Sequence, residues 1–356
     1  MKNIAVVCNY ELNPARIGGM DRFFKAYNQQ LLQKGHKVTW FFSGGEKFNF
    51  YSGFELHFPG QQESVETLTL NFLKNKKDFD VIVTHFVALC TPYFRELKKK
   101  NQPYIIAVDH NPRPLGGFSW EKRIKNKIKG KIYSPYIDLF VGVSKYTADC
   151  ILQDYGNLVT KKVKVVYNGI DTSTYLERKE ENYGKFIVAS HLRKSKGIQD
   201  LIEAVALLPE EIKNKIQIDV YGEGPLEAEL KRKVAQNQLE PQIAFFGSSS
   251  RLPKLMKNYS FLLQPTYMEC FSLSILESLA ANVPVITTPV GGNLEIISNG
   301  SNGLIFQTGN IEELNKLLQK VVNREFKIAD NLSDLIKKNY SLEQMVANHI
   351  NLLPCT

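Results

Sequence analysis

The sequence predicts an α/β protein: two doubly wound, Rossmann-like halves facing each other across a cleft. Short apolar strands alternate with longer amphipathic segments, the pattern of parallel sheets covered by helices. That pattern begins afresh near Lys185. Between the two runs, "VVYNGIDTSTYLERKEENYG" loses its periodicity and carries the turn residues Asn168 and Gly169 with a short charged run. A chain of 356 residues with 43% hydrophobic content suits about two packed domains. The expected division is 1–170, then 171–338, then a C-terminal helix over 339–356 that returns to the first domain.

In the first half the expected strands are residues 4–8, 37–42, 81–84, 104–108 and 139–143. Between the first two, Met20, Phe23, Phe24, Tyr27, Leu31 and Leu32 recur with helical spacing, and Gly35 stands where that helix should stop. The second half continues through "KFIVAS", "IQIDVYG", "IAFFG", "FLLQP" and "VPVITT", each followed by a helical segment. Leu342, Met345, Val346, Ile350 and Leu353 give the final helix its spacing.

Composition narrows the function classes. Cys8, Cys90, Cys150, Cys270 and Cys355 are scattered and lack any CxxC spacing, as expected of reduced thiols in a cytoplasmic protein. The opening "MKNIAVVCNYELNP" has an apolar run too short for a signal core or a membrane span, and suits a buried first strand. A chain soluble or bound at a membrane surface is expected.

The net charge of +9 is concentrated. In "WEKRIKNKIKGKIY", Trp120, Ile124, Ile128 and Ile132 fall at intervals of four among Lys122, Arg123, Lys125, Lys127, Lys129 and Lys131. An apolar stripe rimmed by cations suits an anionic membrane surface, each cation contributing about 1 kcal/mol. The stripe fits the core-facing side of an ordinary helix as well, and Gly130 is expected to interrupt the helix. A nucleic-acid binder is also basic, but base-stacking aromatics and a reading element are not evident, so no nucleic-acid partner is expected.

Four loops carry chemistry. In "NPARIGGMDR", Gly18 and Gly19 precede a helix whose free N–H groups favour an anion; a tight turn explains the pair equally well, and the GxGxxG spacing is absent. "ASHLRKSKG" places Arg193, Lys194 and Lys196 after a strand, where cations can hold a diphosphate or stay solvated. "VYGEGP" supplies Gly222 and Gly224. In "ECFSLSILES", Phe271, Ser272 and Leu273 fall near a helix start, with Glu269 before them and Glu277 within the helix. Leu273, Leu276, Leu279 and Ala280 mark its buried side.

Glu269 and Glu277 match the E-x7-E signature of retaining glycosyltransferase family 4, whose fold is GT-B. "HLRKSKG" resembles that family's basic donor loop, "VVYNGID" its joining segment, "YGEGP" its next glycine loop, and "VPVITTPVGGNLEII" with "NGLIF" its closing pattern. The resemblance implies that Arg193 and Lys196 neutralise a donor diphosphate, that Glu269 meets the transferred sugar's hydroxyls, and that Glu277 binds the ribose. It further implies that the backbone at Phe271, Ser272 and Leu273 cradles phosphate, that Gly19 lies near it, that His110 stands beside the sugar, and that His85 lies near the acceptor channel. Two departures are visible: Cys270 and Ser272 flank Phe271 where the family often has glycines, and His191 stands where it often has arginine, leaving that duty to His191 or Arg193.

The expected activity is retaining transfer of a hexose-type unit from a UDP-linked sugar to a hydroxyl of a glycan or lipid-linked acceptor, in cell-surface polysaccharide or lipopolysaccharide assembly. The protein would act at the inner face of the membrane. The nucleotide sugar is substrate, so no cofactor is expected. "DFD" at 78–80 precedes a strand and, with the metal-independent chemistry the resemblance implies, gives no metal site. The alternatives are an epimerase on the same fold and a basic nucleic-acid-binding protein.

Overall fold

A computed structural model describes residues 1–15, 17–75, 78–179, 183–326 and 331–355. Residues 180–182 of the charged run therefore lie outside the described residues. The chain divides into two compact units, Met1–Gly169 with Leu342–Thr356, and Ile170–Ser341.

The first unit runs β1 (Asn3–Glu11), α1 (Gly19–Gln33), β2 (Lys37–Gly44), β3 (Glu55–His57), α2 (Val65–Asn75), β4 (Val81–His85) and α3 (Pro92–Lys98). It continues through β5 (Tyr104–Asp109), α4 (Trp120–Tyr133), β6 (Leu139–Gly142), α5 (Lys145–Tyr155) and β7 (Val163–Val165). Among the described residues the strands form one seven-stranded sheet in the order β3-β2-β1-β4-β5-β6-β7. Every pairing is parallel. Helices cover both faces of such a sheet, which is why Ile4 to Cys8 form a continuous apolar run with every side chain buried.

The second unit runs β8 (Lys185–Ala189), α6 (Ile198–Ala206), α7 (Glu210–Lys213), β9 (Gln217–Tyr221), α8 (Glu227–Gln236), β10 (Ile243–Gly247) and α9 (Leu252–Leu255). It continues through β11 (Phe261–Gln264), α10 (Leu273–Ala280), β12 (Val285–Thr287), α11 (Asn293–Ile296), β13 (Gly303–Ile305), α12 (Ile311–Val322) and α13 (Leu332–Asn339). Its parallel sheet has the order β10-β9-β8-β11-β12-β13 among the described residues. The strand order reverses between β8 and β11, and in an open parallel sheet such a reversal opens a crevice beyond the strands' C-terminal ends. The basic loop after β8 and the Glu269 loop after β11 both leave at that point.

Helix α14 (Leu342–Ile350) crosses back to the first unit and packs on α1. His349 lies 4.8 Å, ring to ring, from Phe23, and the Gly169 amide points at Met345 Sδ.

Several expectations differ in detail. Leu32 is exposed on α1, and Leu273, the first residue of α10, is only half-buried whereas Ile275 is fully buried. Gly130 does not interrupt α4. A Cβ there would stand 2.6 Å from the Tyr155 carbonyl oxygen, so the glycine is a close helix–helix contact. Asp80 accepts from the Asn3 amide at 2.7 Å and Asp78 from Asn101, and no metal-ligating cluster occurs among the described residues.

Candidate active site

The second unit's site is assembled from four loops at the β8/β11 reversal. After β8 the chain turns through a short 3-10 helix, Lys194–Lys196, with Arg193 extended at its start and exposed. Gly197 then takes φ +70°, and a Cβ on it would fall 1.8 Å from the Pro265 carbonyl oxygen. Only glycine admits both the left-handed turn and that approach. Two bonds fasten this turn to the loop after β11: the Tyr267 amide donates to the Ser195 carbonyl at 2.8 Å, and Thr266 Oγ1 to the same oxygen at 3.0 Å.

That fastening brings Lys196 to Glu269. The ammonium and the carboxylate form an ion pair in which both side chains keep little exposure, 12% and 13%. Glu269 is held from behind as well. Gly291 has φ +58°, and a Cβ there would stand 1.9 Å from the Glu269 carbonyl oxygen, while the Gly292 amide donates to the Cys270 carbonyl at 3.0 Å. The glycine pair in "VPVITTPVGGNLEII" thus supports the Glu269 loop.

Ser272 caps α10: its Oγ accepts from the Ile275 amide at 3.3 Å and from the Gln264 side chain. Glu269 therefore lies in the loop ahead of the helix, and Glu277 lies within it, half-buried. The side chains of Cys270 and Phe271 are buried, with Phe271 against Tyr340 at 5.4 Å, so only backbone at these positions is available to a ligand. Ser274 Oγ ties the first turn of α10 to the Ala189 carbonyl of β8 at 2.8 Å.

Gly222 and Gly224 do local work too. A Cβ on Gly222 would stand 1.9 Å from the Ser190 carbonyl oxygen, and one on Gly224 would stand 2.4 Å from that of Leu192. These glycines let the loop after β9 lie against the basic loop, which the Leu192 amide secures by donating to the Glu223 carbonyl at 2.9 Å. His191 is exposed beside it. Tyr267 donates to Asp200, and burial followed by that carboxylate pushes its phenol up to about 12.

The predicted residues of the first unit gather at the C-terminal ends of β1, β4 and β5. Gly18 caps α1 and donates its amide to Asp21 Oδ2 at 2.8 Å. Asp21, fully buried, also accepts from Tyr10 at 2.8 Å and Tyr51 at 2.6 Å. A protein carboxylate therefore already satisfies part of the anion preference at this helix end, beside Gly18 and Gly19.

His85 Nδ1 lies 3.0 Å from His110 Nε2. Phe86 adopts φ +60°, a conformation costly for an aromatic residue, and its ring stacks on His110 at 4.1 Å. His349 reaches the same group, 5.8 Å from the His85 ring. Burial, then the neighbouring histidines, lowers the His85 pKa well below its ordinary value; burial pushes both His110 and His349 down to about 3. All three are neutral at pH 7. His85 Nε2 is buried without a hydrogen-bond partner, and an orphaned N–H is costlier than an unused lone pair. The proton of His85 is therefore assigned to Nδ1, donating to His110, whose own proton then sits on Nδ1.

Sequence reasoning missed Asp21, Phe86 and His349 as parts of these clusters, and held Gly291 only within the closing pattern. Asp21 alone left a signal, an acid three residues after the helix-capping position.

Residues 17–174 match the sequence family described as Glycosyltransferase Family 4, and residues 175–341 match Glycosyl transferases group 1. An uncharacterized glycosyltransferase of Methanocaldococcus jannaschii is 30% identical over 57% of this chain and 56% of its own length, so the chain spans little more than half of that relative. The apo lipopolysaccharide outer core galactosyltransferase WaaB superposes with a TM-score of 0.76 at 19% identity, covering 98% of each chain. Anabaena HepE, solved in complex with UDP, gives 0.76 at 16% identity, covering 99% of this chain and 100% of its own. With consecutive family matches running from residue 17 to 341 and two parallel sheets that superpose on GT-B structures, the chain belongs to the group 1, family 4 glycosyltransferases.

Proposed function

We propose that the protein transfers a hexose-type sugar, with retention, from a UDP-linked donor to a hydroxyl of a glycan or lipid-linked acceptor in cell-surface polysaccharide or lipopolysaccharide assembly. The observation that carries this reading is the Lys196–Glu269 pair, fixed between Arg193 and the start of α10 at the strand-order reversal. An arriving donor substitutes for each partner in turn. Its diphosphate takes the Lys196 ammonium, with Arg193 as a second cation, and its sugar hydroxyls donate to the released Glu269 carboxylate. Glu277, further along α10, is the ribose contact in this reading.

As the bond to the sugar breaks, negative charge grows on the departing diphosphate. Cations and amide dipoles held in place before the reaction stabilise that charge without reorganising. The same phosphate takes the acceptor's proton on the face where the new bond forms. His110 is the contact beside the sugar in this reading, a neutral imidazole that adds no charge. That WaaB is a lipopolysaccharide outer core galactosyltransferase and that HepE was solved with UDP support the choice of acceptor class and base. A panel of nucleotide sugars scored by thermal stabilisation tests the reading: a UDP-sugar should stabilise the protein most, and a panel with no stabilising member would overturn it.

A further inference from the structure

Helix α4 is built inside out. Its packing side carries Asn126 and Gly130, both buried, and half-buried Tyr133 against the core: Asn126 donates to Asp154 Oδ1 at 3.2 Å, and Gly130 meets the Tyr155 backbone of α5. Asp154 in turn accepts from Arg113, which is also bound to Asp109. Steps of four residues advance 40° each, so Trp120, Ile124, Ile128 and Ile132 form a stripe about 120° wide, its centre about 160° round the helix from the packing side. These four side chains are 68%, 50%, 55% and 48% exposed. The stripe that the sequence allowed to be core is solvent-facing.

Around the stripe stand Arg123, Lys125, Lys127 and Lys131, with Lys122 nearer the packing side; all five are exposed, and none forms an ion pair with a described carboxylate. Just ahead of the helix Leu115 is 54% exposed, and the Lys122 ammonium sits 5.5 Å from the Phe118 ring. We propose that α4 is a membrane-surface anchor that lies in the plane of an anionic bilayer, its Trp120–Ile132 stripe among the acyl chains and its cations against lipid phosphates. A second copy of the chain would cover the stripe but set one cationic rim against another, at a cost in repulsion. An anionic bilayer covers the apolar side chains and neutralises the rim together. The helix is about 21 Å long, and its charges forbid spanning. No described helix is long and apolar enough to cross a membrane. The surface does not rest on the transfer reaction, and its residues are separate from those assigned to the donor.

The test is flotation of the full chain with vesicles of phosphatidylcholine, and of phosphatidylcholine mixed with phosphatidylglycerol. Of the two tryptophans, Trp40 is fully buried, so an emission shift on vesicle addition reports Trp120. Binding and a blue shift are expected with the anionic vesicles only. K125Q/K127Q/K131Q should weaken binding about a hundredfold, at about fivefold per cation. I124S/I128S should weaken it too, while UDP binding by both variants stays at the wild-type level. Failure to bind either vesicle, binding indifferent to the lysine changes, or a dimer that I124S/I128S dissociates would each overturn the proposal.

Discussion

Lys196 and Glu269, 73 residues apart in sequence, are joined as an ion pair beside the start of α10. Each is the other's counter-charge until a ligand arrives. Lys196→Ala should therefore lower kcat/KM by about 10² to 10³, the scale of losing one preorganised electrostatic contact. Glu269→Gln, which keeps the hydrogen-bonding shape, should lower kcat more than it raises KM. The pair retains some solvent, so neither change should cost more than about 3 kcal/mol of stability. Steady-state kinetics beside thermal unfolding separates the two effects, and wild-type turnover in either variant would remove the pair from the site.

Gly291 tests how Glu269 is held. A methyl group at this position meets the Glu269 carbonyl oxygen, whereas Gly300 has φ +80° and nothing within 4 Å. Gly300→Ala should cost about 1 kcal/mol from backbone strain alone. Gly291→Ala should cost at least about 2 kcal/mol and should also depress donor affinity, because the loop must move. Equal losses in the two variants, measured by denaturation with UDP present and absent, would show that the contact does not position Glu269.

The buried histidines make the first unit sensitive to acid. An unfolded histidine takes up a proton near pH 6.5, while native His110 and His349 refuse it down to about 3. Between those values the unfolded chain binds more protons, so stability is complete above pH 6.5 and falls as the pH drops toward 3. Each such group costs about 1.4 kcal/mol by about pH 5.5. Both tryptophans lie in this unit, so their fluorescence follows its unfolding in urea. His349→Phe should shrink the acid-induced loss by about that amount; an unchanged loss would mean that His349 titrates normally.

The His85–His110 contact fixes a tautomer. Long-range ¹⁵N correlation spectra should show His110 protonated at Nδ1 in the wild type, and a mixture of tautomers in His85→Phe. Finding the native His110 proton on Nε2 would reverse the assigned direction of the bond.

Most strands were legible because each buried parallel strand is a compact apolar run. β3, β7 and β13 were not: each has only three residues, and β3 and β7 are in addition at least partly exposed. The periodicity of α4 identified a stripe without a direction, since spacing alone cannot say whether an apolar face meets core or solvent. Only the packing of Gly130 on Tyr155 settles it. At the site, Lys196 and Glu269 were each legible from a motif, but their pairing depends on Thr266 and Tyr267 gripping the Ser195 carbonyl. His349 carried no local signal, because its place beside His85 depends on the chain's return across the first unit.

The central claim is that the loops around Lys196, Glu269 and the start of α10 grip the diphosphate of a nucleotide donor. Titration calorimetry with UDP measures this most directly. The account predicts saturable heat in the wild type, weakened at least about tenfold by Lys196→Gln and by Glu277→Gln, each having lost one charged contact. Absence of heat at millimolar UDP, or affinity untouched by both substitutions, would contradict it.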